Sequence, residues 1–175
     1  MSGTIPIQTE RLLLRRYRMD DAEILYRNLG QDPSSCKYSG WNPYADLQMA
    51  ENSVRMFIEQ YDKPHFYGWM MEHDGSPVGT IGAYDYDAQN HSIEIGMSVF
   101  LSCRGHGYAA EAVSAVLRYL LEEENISAVT AWCATENTAS SKVLEKAGMR
   151  KTHTEINGLT VNDETYDRVW YTCTN

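Results

Sequence analysis

Strands alternate with helices along this 175-residue chain, a pattern that predicts one α/β domain built on a mixed sheet. Two observations carry that expectation. The run Ser92 to Leu101 places Ile93, Ile95, Met97 and Val99 at period two, as a buried strand requires. After it, Ala109, Ala112, Val113, Val116, Leu117 and Leu120 recur at three and four residue spacing, which lays one apolar stripe along a helix over about 108–124. The length suits one ordinary domain with a real core, so 1–175 is read as a single unit.

In chain order, a strand is expected over about 12–17, a helix over 19–29, a loop over 30–44 and a helix over 45–60. Strands over 66–73 and 78–87 form a hairpin through the turn residues Asp74-Gly75-Ser76-Pro77. The strand at 92–99 and the helix at 108–124 come next, then a strand at 128–134 and a helix at 138–147 that Gly148 stops as a C-cap. Strands over 150–157 and 166–174 finish the sheet, for about seven strands and about four helices.

Composition narrows the function. The formal net charge of −9 works against broad nucleic-acid binding, which draws on basic patches, and favours cationic partners such as amines or basic peptides. Cys36, Cys103, Cys133 and Cys173 show neither C-x-x-C spacing nor a dense framework, so reduced thiols, no zinc or other metal site and a cytoplasmic setting are expected. The start Met1-Ser2-Gly3-Thr4-Ile5-Pro6 lacks a basic region followed by a long apolar run, and no stretch approaches membrane-spanning length. Secretion and membrane insertion are disfavoured. Monomer and homodimer both remain open.

The most informative stretch is Cys103-Arg104-Gly105-His106-Gly107-Tyr108-Ala109, at the junction of the strand and the striped helix. Glycines there permit positive φ and leave no Cβ in a ligand's way, while the unpaired amides of the first helical turn favour an anion. Phosphate is the anion expected. A Walker loop is excluded because neither Lys nor Ser/Thr follows Gly107. A dinucleotide fingerprint needs an acidic residue that ends a second parallel strand about 20 positions on; Glu122-Glu123-Glu124-Asn125 stands there, but at a helix end.

Arg104-Gly105-His106-Gly107-Tyr108-Ala109 resembles the R/Q-x-x-G-x-G/A acetyl-coenzyme A signature of the GNAT N-acetyltransferase superfamily. The segment Ala131 to Met149, with Asn137-Thr138-Ala139-Ser140 followed by a helix and Gly148-Met149, is similar to the second signature of that superfamily. Thr9-Glu10-Arg11-Leu12-Leu13-Leu14-Arg15 and the closing Asp167-Arg168-Val169-Trp170-Tyr171 resemble the branch that acetylates N-termini of ribosomal proteins (RimJ/RimL-like). The resemblance implies a mostly antiparallel sheet splayed open between the strands at 92–99 and 128–134, with acetyl-coenzyme A as cosubstrate in the gap. It implies phosphate and pantetheine contacts from Arg104, Gly105, His106, Gly107, Tyr108 and Ala109, from the backbone of Met97, Ser98 and Val99, and from Asn137.

Acetyl transfer needs a neutral amine and hence a base. Glu94 on the central strand is the first candidate, with a purely structural carboxylate as the alternative; Asp85, Asp87, Glu72 and His91 are lesser ones. The departing thiolate needs an acid. The tyrosine that many relatives use falls at Leu144 here, so the resemblance points to Ser140, with Ser141 as fallback; Ser140 could also be a plain first-turn serine and Asn137 a plain helix cap. Cys103 has no His/Asp partner at useful spacing, so covalent catalysis is rejected. His106 reads as solvent facing. Tyr38 and Trp41 in the 30–44 loop are candidate walls for the acceptor, which is expected to be a protein or peptide N-terminus. The alternatives are a small-molecule amine (antibiotic, polyamine or amino acid) and a non-catalytic acetyl-coenzyme A binding module.

Overall fold

The structure is a computed structural model and describes residues 2–39 and 44–175. Its sheet runs through β1 (Ile7–Gln8), β2 (Leu12–Arg15), β3 (Tyr67–His73), β4 (Ser76–Asp87), β5 (Ser92–Val99), β6 (Ala128–Ala134), β7 (Arg150–Val161) and β8 (Glu164–Thr174), in spatial order β1-β2-β3-β4-β5-β6-β8-β7. Every pairing is antiparallel except β5 with β6. Among the described residues five α-helices accompany it: α1 (Asp21–Leu25), α2 (Pro33–Cys36), α3 (Leu47–Gln60), α4 (Tyr108–Arg118) and α5 (Thr138–Lys146). Among the described residues no helix is long and apolar enough to cross a membrane.

The eight strands and five helices of the described residues exceed the seven and four expected, for local reasons. β1 is two residues long and exists only by pairing Ile7 with Leu14 and Gln8 with Leu13, a contact that no periodicity announces. Helix α2 lies inside the segment expected as loop; Asp32 caps it through the Ser34 amide and Pro33 opens it. Helices α1 and α4 pass into π turns at Tyr26–Gly30 and Tyr119–Glu123, so the long helices expected at 19–29 and 108–124 are each composite. Strand β2 stops at Arg15, short of 17, and β7 runs on to Val161 because its hairpin with β8 turns only at Asn162 and Asp163, both at positive φ.

The two faces of the sheet divide by register. Trp69, Ile81 and Met97 are cross-strand neighbours, as are Tyr67, Ala83 and Ile95, and these rows pack on the apolar stripe of α4, Ala112, Val113, Val116, Leu117 and Leu120. Met70 faces the opposite way, into a second core with Leu25, Leu29, Ala50, Val54 and Phe100 under α1 and α3. Two buried polar clusters tie the margins. Arg15 bonds Asp21 through both terminal nitrogens at 2.7 and 2.8 Å and Glu72 through Nε at 2.6 Å. Glu124, just past α4, accepts from the Tyr67 and Tyr119 hydroxyls and the Ser2 amide, which fastens the N-terminal segment to the core.

Candidate active site

The parallel pairing of β5 with β6 covers only Ser92 with Ala128, Ile93 with Val129 and Glu94 with Thr130. Beyond Glu94 the two strands continue without pairing to each other, to Val99 and Ala134. A cavity of about 1530 Å³ occupies this opening and extends along the α3 face of the sheet. Such a volume exceeds what a drug-sized ligand needs and suits a long cosubstrate together with an acceptor.

The floor of one arm is the loop before α4. Gly105 and Gly107 both take φ of +82°, which non-glycine residues adopt at a cost, and Gly107 is itself the N-cap. No side chain among the described residues caps α4, so helix geometry leaves the amides of Tyr108, Ala109 and Ala110 without acceptors. By contrast, Asp46 caps α3 and Asn137 caps α5. A Cβ built on Gly105 meets nothing within 4 Å, so the approach is open. This donor set fits the diphosphate of acetyl-coenzyme A. The loop is held from behind by Arg11, whose Nη1 donates to the His106 carbonyl at 2.9 Å while its Nε and Nη2 reach Glu111. Arg11 and Glu111 escaped the sequence reading, although Arg11 sits in the quoted T-E-R-L stretch.

Arg104, Gly105, Gly107, Tyr108 and Ala109 line the cavity, as do Met97, Ser98, Val99, Glu94, Asn137, Ser140 and Tyr38. His106 does not; it is exposed, stacks on Tyr108 and bonds the Cys103 carbonyl. The Arg104 guanidinium lies 3.4 Å from Asp32 and 3.2 Å from Ser34 Oγ, so it bridges to α2 as well as facing the cavity. Trp41 falls outside the described residues. Tyr38 lies edge-on to Tyr166.

The carboxylate and the serine line the same cavity, Glu94 from β5 and Ser140 from α5. Glu94 accepts from Trp132 Nε1 at 2.8 Å and is hydrogen-bonded by Tyr84, its cross-strand neighbour on β4. Burial raises its pKa above the ordinary 4.5, and the two donors pull the other way. A carboxylate held so is a stronger base than an exposed one. Asn137 Oδ1 accepts from the Ser140 amide at 3.2 Å, so the capping role is real and fixes Ser140 in the first turn of α5 beside the cavity. Ser141 is engaged elsewhere: its Oγ takes the Tyr171 hydroxyl at 3.0 Å and lies 3.4 Å from Cys133 Sγ. Leu144, one turn on, is buried and brings no hydroxyl. Trp132 and Tyr84 were also missed, since only the β4–β5–β6 register brings them to Glu94.

A family model described as acetyltransferase (GNAT) domain matches residues 11–150. The chain is 28% identical over 147 residues to p20 of Bacillus licheniformis, named an uncharacterized N-acetyltransferase, covering 83% of this chain and 82% of that protein. A crystal structure described as an acetyltransferase (GNAT family) from Bacillus anthracis superposes with a TM-score of 0.85 at 27% identity, over 97% of this chain and 98% of that one. RimL, a ribosomal L7/L12 α-N-protein acetyltransferase solved in complex with coenzyme A, superposes at 0.89 with 15% identity over 97% and 98%, a likeness of fold.

Proposed function

The chain belongs to the GNAT acetyltransferase family, and on that premise we propose that it moves the acetyl group of acetyl-coenzyme A to a primary amine, the N-terminus of a protein or peptide, by direct attack in a ternary complex. The observation that carries this reading is the opening between β5 and β6, with an uncapped glycine-rich helix start at one end and a half-buried carboxylate at the other. When bound, acetyl-coenzyme A would supply an activated thioester carbonyl. The amides of Tyr108, Ala109 and Ala110 would hold its phosphates, and the unpaired backbone edge of β5 from Ile95 to Val99 would order its pantetheine arm.

Glu94 takes a proton from the acceptor's ammonium, directly or through water, which frees the amine lone pair to attack the thioester carbonyl, and the nearby Trp132 and Tyr84 donors hold its carboxylate in place. Ser140, positioned by the Asn137 cap, supplies a proton to the departing thiolate. The α-N-protein acceptor named for RimL favours a protein N-terminus, and the net charge of −9 favours a cationic one. Thiol release from acetyl-coenzyme A, followed across peptides with free N-termini, N-blocked lysine peptides and small amines, tests this. Acceleration by free N-termini supports the proposal. Coenzyme binding with no acceptor able to accelerate release would reduce the protein to a binding module, and acceleration by small amines alone would move it to a small-molecule enzyme.

A further inference from the structure

The registers of three adjacent strands bring Gly68, Gly82 and Gly96 side by side in one row across β3, β4 and β5. All three line the cavity, on the α3 face of the sheet, together with Glu94 and Ser98. The residues two positions away along the strands make two parallel rows: Met70, Thr80 and Ser98 on one side, Tyr84 and Glu94 on the other. A row without side chains between two rows that have them is a trough running across the strands.

Its ends differ. At Gly68 a Cβ would meet the Tyr17 ring at 3.3 Å and the Phe66 ring at 3.4 Å, so two aromatic rings close that end; Phe57 stands behind them, with its ring centroid 5.1 Å from that of Tyr17. At Gly96 a Cβ would meet the Tyr84 hydroxyl at 2.6 Å, where that side chain reaches over to Glu94. Over Gly82, between the two, a Cβ would meet no side chain, only the Tyr67 carbonyl at 3.0 Å and the Gly68 backbone. The open stretch thus starts beside the carboxylate and ends under aromatic rings. At the usual strand spacing the row is about 10 Å long.

We propose that this trough receives the body of the acceptor, and that the substrate class is primary amines carrying a slender apolar or ring-bearing group next to the amino group, such as a peptide with Leu, Met or Phe first. This rests on the acetyltransferase reading above. The ammonium end is matched by Glu94 and by Asp85, which also lines the cavity, and the apolar group by the bare glycine backbone and the rings of Tyr17 and Phe66. Any side chain at position 82 would stand in the path of that group.

Peptides identical except for Gly, Ala, Leu, Met or Phe in first place are compared as acceptors. The expected kcat/KM for Leu, Met and Phe is on the order of 10-fold or more above that for Ala. In Gly82→Ala that ratio collapses while affinity for coenzyme A, measured by calorimetry, is kept; in Phe66→Ala longer groups gain. A wild-type ratio near one, or a ratio unchanged in Gly82→Ala, overturns the trough and leaves the acetyltransferase standing. Should no peptide be acetylated, calorimetry on the coenzyme A complex decides separately: 2-phenylethylamine binding at least 10-fold tighter than methylamine supports the trough, and equal binding overturns it. If Gly82→Ala fails to fold, Phe66→Ala and the calorimetric pair carry the test.

Discussion

At the scale of single residues, the chemistry turns on how Glu94 is held. Burial disfavours its ionised form, so the acidic limb of kcat/KM against pH is expected above the ordinary 4.5, with activity rising as the carboxylate loses its proton. Trp132→Phe removes a donor to that ionised form and shifts the limb to still higher pH, whereas Glu94→Gln abolishes the limb and lowers kcat by about 10²–10⁴. A pH–rate profile of the three proteins checks this, and an unmoved limb in Glu94→Gln would remove the assignment. Glu94 could be singled out from its place on the central strand; its donors could not. Trp132 is 38 positions downstream and Tyr84 is in a different strand, and only the sheet register brings them together.

Elements tell a similar story through their ends. Helix α4 begins on Gly107 at positive φ with no capping side chain among the described residues, while α5 begins on a capping Asn137. Gly107→Ala forces a side chain into the left-handed region and should cost about 1–2 kcal/mol of stability, together with a weaker Kd for coenzyme A. Asn137→Ala should cost about 1 kcal/mol, with Ser140 less firmly placed, and hence a larger loss in kcat than in coenzyme affinity. Denaturant melts and coenzyme titrations of both variants separate these effects; equal loss of affinity in the two would contradict them. Gly105, Gly107, Asn137 and Gly148 were legible because glycine and cap residues carry a backbone requirement in their identity. Helix α2 and strand β1 were not, because four residues and two residues are too short to show a period.

Over the whole molecule, the sheet is anchored by Arg15, which is 6% exposed and lies between Asp21 and Glu72. Arg15→Ala leaves two carboxylates buried without their cation and should cost about 3–5 kcal/mol near neutral pH. Denaturant melts of the two proteins at neutral pH check the loss. The alternation of strands and helices, and so the fold class, could be read from periodicity alone, whereas the glycine row appears only when residues 68, 82 and 96 are brought into register. The parting of β5 from β6 has one more consequence, for solubility. An uninterrupted sheet has two edges, but this one has four, and unpaired edges invite pairing with other chains. The outer two are blunted: β1 is only two residues long, and β7 carries Arg150, Lys151, His153 and Glu155 along its exposed length. The inner two face each other inside the cavity rather than on the rim, so the gap that admits a ligand does not offer a template for aggregation.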